Sequence, residues 1–242
     1  MLIARDPERV TATLAKLAGS GHTAHIADLS RLSEMKRVAS EIEGEVDVLI
    51  NNAGALFGKR QVTADGLEMT FAVNHMAYFT VTNLLLPKMK AGGRIVSTAS
   101  DAHRGQRLDF DDLQSERRYS AFSVYGKSKL CNILFNRELA HRLEGSGIAA
   151  NCLHPGFVAT RFGDSSGGLF QFVIKLGKPT VALSPEEGAK TIVYLASSPE
   201  VEGKSGGYYV KCKPASPTRE AQSDADAKRL WDVSAKIAGV GQ

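Results

Sequence analysis

VDVLINNAG, residues 46–54, runs an apolar segment, 46–50, directly into a tight glycine turn, 51–54. A near-continuous apolar run of this length reads as a strand covered on both faces, the habit of parallel sheets. Working outward, further strand-like runs lie at 2–4, 23–27, 94–98, 149–153 and 208–210, with helical patterns between them. That alternation predicts an α/β chain built on a parallel sheet. Asp6 is placed to cap a first helix that has Pro7 in its opening turn and Val10, Leu14 and Leu17 on one face. Ser30 is placed to cap a second, whose apolar face is Leu32, Met35, Val38, Ala39 and Ile42. A Pro-rich piece, 213–217, leads to a last helix, 221–236, in which Trp231 suits core packing.

The chain has 242 residues, 43% hydrophobic and 23% charged, which predicts a single globular domain over 1–242. Thirty basic and 26 acidic residues give a net charge of +4, scattered without the basic stripe that nucleic-acid binding requires. Cys131, Cys152 and Cys212 are odd in number and widely spaced, so neither a disulfide framework nor a metal cluster is expected, and a reducing cytoplasm fits. No apolar run approaches the roughly 20 residues that cross a bilayer.

YGKSK, residues 125–129, sets Tyr125 and Lys129 four apart, so on a helix a phenol and an ammonium share one face a single turn apart. By spacing alone this is an ordinary surface pair. Its chemistry is more specific: a phenol with a pKa of about 10 is a poor acid or base at neutral pH, and a cation beside it favours phenolate. Around the pair stand NNAG, Asn74 in FAVNHMAYF, Ser100 just beyond the strand in GGRIVSTAS, and HPGFVAT at 154–160. Asn, Ser, Tyr and Lys in this order resemble the short-chain dehydrogenase/reductases. SPEEGAKTIVYLAS at 184–197, SGGYYVKCKPASP at 205–217 and RLWDVS at 229–234, with the long segment between Ser100 and Tyr125, look like the retinol-dehydrogenase-like branch, and the likeness covers essentially the whole chain.

The resemblance implies a Rossmann-like, doubly wound parallel sheet and an oxidoreductase that interconverts a lipophilic carbonyl compound and its alcohol. Tyr125 would exchange a proton with the substrate oxygen, and Lys129 would tune that phenol and hold the nicotinamide ribose. Ser100 would hydrogen-bond the reacting oxygen, with Ser97 as its rival. Asn74 would bend its helix and fix a water that links Lys129 to solvent, the alternative being a buried Asn that only satisfies backbone. For the dinucleotide, Asn51, Ala53 and Gly54 would line the crevice, Asp28 would recognise adenine, and Pro155, Gly156 and Thr160 would position the carboxamide end. Arg5 stands where the family tests for a 2′-phosphate and indicates NADP(H), with NAD(H) as the alternative because Asp6 follows it.

Family members open with a strand, a TGxxxGIG turn and a helix, a unit of about 30 residues, whereas MLIARDPERV aligns with their second strand. The expected fold therefore lacks that first strand, glycine-rich loop and helix. Its loss would leave two unpaired strand edges or force the strands at Leu2 and Val46 together. An incompletely recorded start is one explanation, and a true short form that binds cofactor poorly is the other. The competing function is a non-catalytic remnant acting as a binding or regulatory protein; an extended epimerase-type relative suits the short length less well. Residues 162–180, a glycine-serine hinge followed by an amphipathic run, would form a lid over the site. The expected partner is a small lipophilic substrate, and a homodimer stays open.

Overall fold

The structure, a computed structural model, describes residues 1–156 and 183–241. Thr160 and the segment 162–180 lie outside the described residues. Strand β3 (Val46–Asn51) pairs in parallel with β4 (Met89–Thr98), β4 with β5 (Ala149–His154), and β5 with β6 (Tyr208–Val210). The register Leu49↔Ile95 and Asn51↔Ser97 puts those four side chains on one face, and Ile50↔Val96 puts the alternate set on the other. A fifth strand, β7 (Lys213–Ala215), closes this sheet antiparallel to β6. The Pro-rich piece was expected only to lead into a helix. Lys211 and Cys212 form the two-residue turn, both with positive φ, 51° and 59°, the geometry of a type I′ hairpin without its usual Asn-Gly signature.

Strands β1 (Leu2–Ala4) and β2 (Ala24–Ile26) form a separate parallel ladder. Of the two outcomes expected for the strands at Leu2 and Val46, the molecule therefore takes the first: they are not hydrogen-bonded to one another.

Helix α1 (Pro7–Leu14) begins as its sequence predicts, with Asp6 Oδ1 accepting from the backbone N–H groups of Glu8 and Arg9, both at 3.1 Å. Helix α2 (Leu32–Glu41) does not. Ser30 is buried and caps nothing; Arg31 occupies the cap position, and Asp65 Oδ2 accepts from Leu32 N at 2.8 Å. A carboxylate 33 residues away does the work assigned to the local serine, a substitution that local pattern cannot reveal. A one-turn helix, α3 (Met69–Phe71), leads through a π-helical turn (Ala72–Met76) into α4 (Ala77–Leu85). Then come α5 (Ala121–Arg142), α6 (Pro185–Ser197) and α7 (Asp224–Ala238).

Helices α2, α4, α5 and α7 cover one face of the large sheet through a core that includes Met35, Phe79, Ile95, Leu134, Phe135 and Trp231. On the opposite face α6 packs Leu195 against Val96, Leu153 and Tyr209. Trp231 lies edge-on to Phe79, ring centroids 4.9 Å apart, and stacks on Phe135 at 5.8 Å, while its Nε1 donates to Gly241 O. Helices on both faces of a mostly parallel sheet are the doubly wound arrangement. No helix among the described residues is long and apolar enough to cross a membrane.

Candidate active site

The carboxyl ends of β3, β4 and β5 and the first turns of α5 converge on Tyr125. Helix α5 comes close because residue 126 is glycine: a Cβ there would sit 2.4 Å from Ala102 O and 2.8 Å from Gln106 Cγ. Ser100 caps the short 3₁₀ turn Asp101–His103, its Oγ accepting from Ala102 N at 3.2 Å, and its side chain also hydrogen-bonds Tyr125. Ser97, its rival, is fully buried beside Asn51.

Lys129 is 3% exposed. Its Nζ donates to Thr98 O at 3.0 Å and lies over the rings of Tyr125 and Tyr78, 5.7 and 5.8 Å from their centroids. The ammonium thus faces the ring of Tyr125, and its expected depression of the phenol pKa is not what the geometry gives. Burial pushes Tyr125 up to about 12, with the Ser100 hydrogen bond drawing it partly back. Burial likewise brings Lys129 down to about 7, because removing a cation from water favours its neutral form.

Asn74 sits inside the π turn, a device that recurs at functional sites. Its Nδ2 donates to Ala55 O at 3.0 Å and to Ser128 Oγ at 2.9 Å, and its Oδ1 accepts from Ala55 N at 2.8 Å. Ser128 Oγ in turn donates to Tyr125 O at 2.7 Å. Asn74 therefore ties the chain just after the β3 turn to the Tyr125–Lys129 stretch of α5, and one acceptor site on Oδ1 is left. Gly54 is the point of closest approach: a methyl there would lie 3.4 Å from both Lys129 Nζ and Asn74 Oδ1. Asn51 Nδ2 donates to Thr82 Oγ1 at 2.9 Å and is 3.4 Å from Ser97 Oγ, joining β3 to α4 and β4. Ala53 is exposed at the same turn.

The other expected binding residues each follow a strand. Asp28 follows β2, its Oδ1 accepting from Ser30 N. Arg5 is exposed directly after β1, while Asp6 is engaged in capping α1 and in an ion pair with Arg9 at 3.2 Å. Pro155 and Gly156 follow β5.

One supporting residue escaped the sequence reading. His103 is fully buried; Thr218 N donates to its Nε2 at 3.3 Å, so the proton sits on Nδ1, which donates to Ser100 O at 2.6 Å. It staples the serine turn to the loop before α7. Nothing near Ser100 in sequence distinguishes it from a surface histidine, since its partner lies 115 residues on.

A family model described as short chain dehydrogenase matches residues 1–167. Human retinol dehydrogenase 14 is 43% identical over 225 residues, 88% of this chain and 66% of its own length, so the chain spans about two thirds of that relative. Human retinol dehydrogenase 13 is 37% identical over 262 aligned positions, covering 99% of this chain and 77% of the relative. Among solved structures, an uncharacterized protein from Mycobacterium paratuberculosis superposes with a TM-score of 0.80 at 30% identity, over 99% of this chain and 84% of that one. A short-chain dehydrogenase from Burkholderia cenocepacia in complex with NADP gives 0.66 at 25% identity, over 86% and 83%. With its Tyr125, Lys129, Ser100 and Asn74 gathered at the strand ends, the chain belongs to the short-chain dehydrogenase/reductase family, in its retinol-dehydrogenase-like branch.

Proposed function

We propose that this protein is an NADP(H)-dependent oxidoreductase that interconverts a lipophilic carbonyl compound and its alcohol. The observation that carries the reading is the buried Lys129 ammonium. It has three N–H donors and, among the described residues, one hydrogen-bond acceptor, Thr98 O, so donors are left to hold a ribose beside Tyr125. These residues fit the nicotinamide end of a dinucleotide. When bound, the nicotinamide supplies or accepts the hydride.

Tyr125 does the proton chemistry. At neutral pH the phenol is protonated, since burial raises it to about 12, which suits giving a proton to a carbonyl oxygen during reduction. Ser100, already hydrogen-bonded to Tyr125, orients the same oxygen and opposes the charge that grows on it. Asn74 keeps one Oδ1 acceptor site for a water that connects Lys129 outward. The 2′-phosphate preference rests on Arg5, exposed after β1 while Asp6 is committed to α1, and the NADP complex of the Burkholderia relative agrees with it. The names of the retinol dehydrogenases support a lipophilic alcohol as substrate. A cytoplasmic setting suits the three free thiols, and the family likeness alone favours a homodimer.

The test is steady-state reduction of a lipophilic aldehyde with NADPH. Tyr125→Phe keeps the ring and loses the proton, so turnover should fall by about 10²–10⁴-fold, the range for general acid–base groups, and Lys129→Ala should lower rate and cofactor affinity together. Near-normal turnover in Tyr125→Phe would remove Tyr125 from the chemistry. Absence of both turnover and NADPH binding in the unaltered protein would favour the non-catalytic alternative.

A further inference from the structure

Lys129 is held in a place that disfavours its charge. Among the described residues it makes no ion pair, and its hydrogen bond to Thr98 O is shared with Asn132 Nδ2, 3.2 Å from the same oxygen. The elements around it bring almost nothing that titrates. Strand β4 offers the Thr98 carbonyl, the β3 turn offers Gly54, the π turn offers the Asn74 amide, and α5 offers Tyr125. From α4 comes Tyr78, 2% exposed, its ring 5.8 Å from Nζ on centroid distance, matching the 5.7 Å to Tyr125. Lys129 therefore lies against two aromatic rings contributed by two helices.

Tyr78 is not explained by its hydroxyl. Its Oη is buried and has no hydrogen-bond partner among the described residues, an arrangement that ordinarily costs free energy and that phenylalanine would avoid. The ring face carries the favourable part: its quadrupole attracts a cation, and the attraction grows when water is excluded.

We propose that Tyr78 is a positioning residue, whose ring holds the Lys129 ammonium charged and seated against Tyr125 in a site to which the described residues supply no carboxylate. The proposal rests on the dehydrogenase reading for its catalytic meaning, but the contact itself belongs to the protein alone. Burial, which brings Lys129 down to about 7, is the influence that the ring opposes. Loss of the ring lets Lys129 neutralise at still lower pH, and the ammonium needed beside the ribose and the phenol is then less populated at neutral pH.

The full chain, labelled with ¹³C at lysine Cε, gives a direct measurement by NMR titration, with the Lys129 resonance identified by its loss in Lys129→Met. Tyr78→Phe keeps the ring and should titrate as the unaltered protein does. Tyr78→Leu should lower the Lys129 pKa by about one unit, and the basic limb of the kcat/KM profile should move down by the same amount. If Tyr78→Leu does not fold, a trifluorinated phenylalanine at position 78 keeps the shape and weakens the ring quadrupole, and it should give the same downward shift. An unchanged Lys129 titration in the ring-weakened proteins would overturn the proposal, as would an equal shift in Tyr78→Phe, which would assign the effect to the hydroxyl. A shifted lysine in a protein that shows no turnover in any form would leave the contact standing and overturn the dehydrogenase reading instead.

Discussion

At the scale of single residues, one group can be read by what its neighbour is doing. Arg5 and Asp6 stand side by side after β1, and from sequence either could set the cofactor preference. Asp6 Oδ1 accepts two backbone N–H groups of α1 and its other oxygen pairs with Arg9, so a carboxylate already engaged is poorly free to hold ribose hydroxyls. Arg5 is left to meet a 2′-phosphate. NADPH should therefore bind more tightly than NADH, by about tenfold or more for a charge-assisted contact, and Arg5→Asp should reverse the order. Fluorescence titration with both nucleotides decides it, and equal affinities in the unaltered protein would pass control of the pocket to another group. The same scale shows where type and spacing mislead. Tyr125 and Lys129 were legible as a pair four apart, but not that Nζ faces the ring, because side-chain torsions and burial set that relation. Burial raises the phenol to about 12 where the lysine was expected to lower it.

At the scale of elements, the site depends on how closely α5 approaches the serine turn. Gly126→Ala would place a methyl 2.4 Å from the backbone oxygen of Ala102, and a backbone atom cannot swing aside as a side-chain tip can. Helix α5 must then shift, separating Tyr125 from Ser100. The expected cost is about 1–3 kcal/mol of stability, typical of overpacking, together with a fall in turnover larger than any change in cofactor affinity. Thermal melts and steady-state kinetics on the folded variant would check both, and wild-type kinetics would mean that the approach is not what sets the Ser100–Tyr125 contact. Elements whose causes are local were legible: the apolar runs that became β3 to β6, and Asp6 at the start of α1. Elements whose causes are distant were not. Asp65 caps α2 from 33 residues away. The β6–β7 turn uses Lys211 and Cys212 in left-handed conformations that their side chains do not advertise. The last helix starts at Asp224, with Ser223 Oγ accepting from Asp226 N, because Glu220–Gln222 take up a separate 3₁₀ turn.

At the scale of the whole molecule, the sheet is divided. The five-stranded sheet ends at β3, whose outer edge has no strand partner among the described residues, while β1 and β2 form a ladder of their own. Val48 and Ile50, on the face of β3 turned toward the α6 side, are 39% and 45% exposed, in a strand whose apolar run predicts cover on both faces. Such an edge, apolar and unpaired, is a template for pairing with another chain. Cofactor binding in open sheets of this kind lies across the strand ends, so the relative placement of Arg5 after β1 and Gly54 after β3 decides whether one dinucleotide can reach both. A parallel strand inserted between β1 and β3 would fix that placement. Residues 1–242 should therefore bind NADPH more weakly, melt lower and self-associate more than the same chain extended upstream by a strand, a glycine-rich turn and a helix. Isothermal titration, light scattering and melts with and without NADPH compare the two directly. Equal affinity, with a cooperative melt that NADPH raises equally in both, would mean that the contacts already present hold the two ladders in register and that the open edge of β3 carries no penalty.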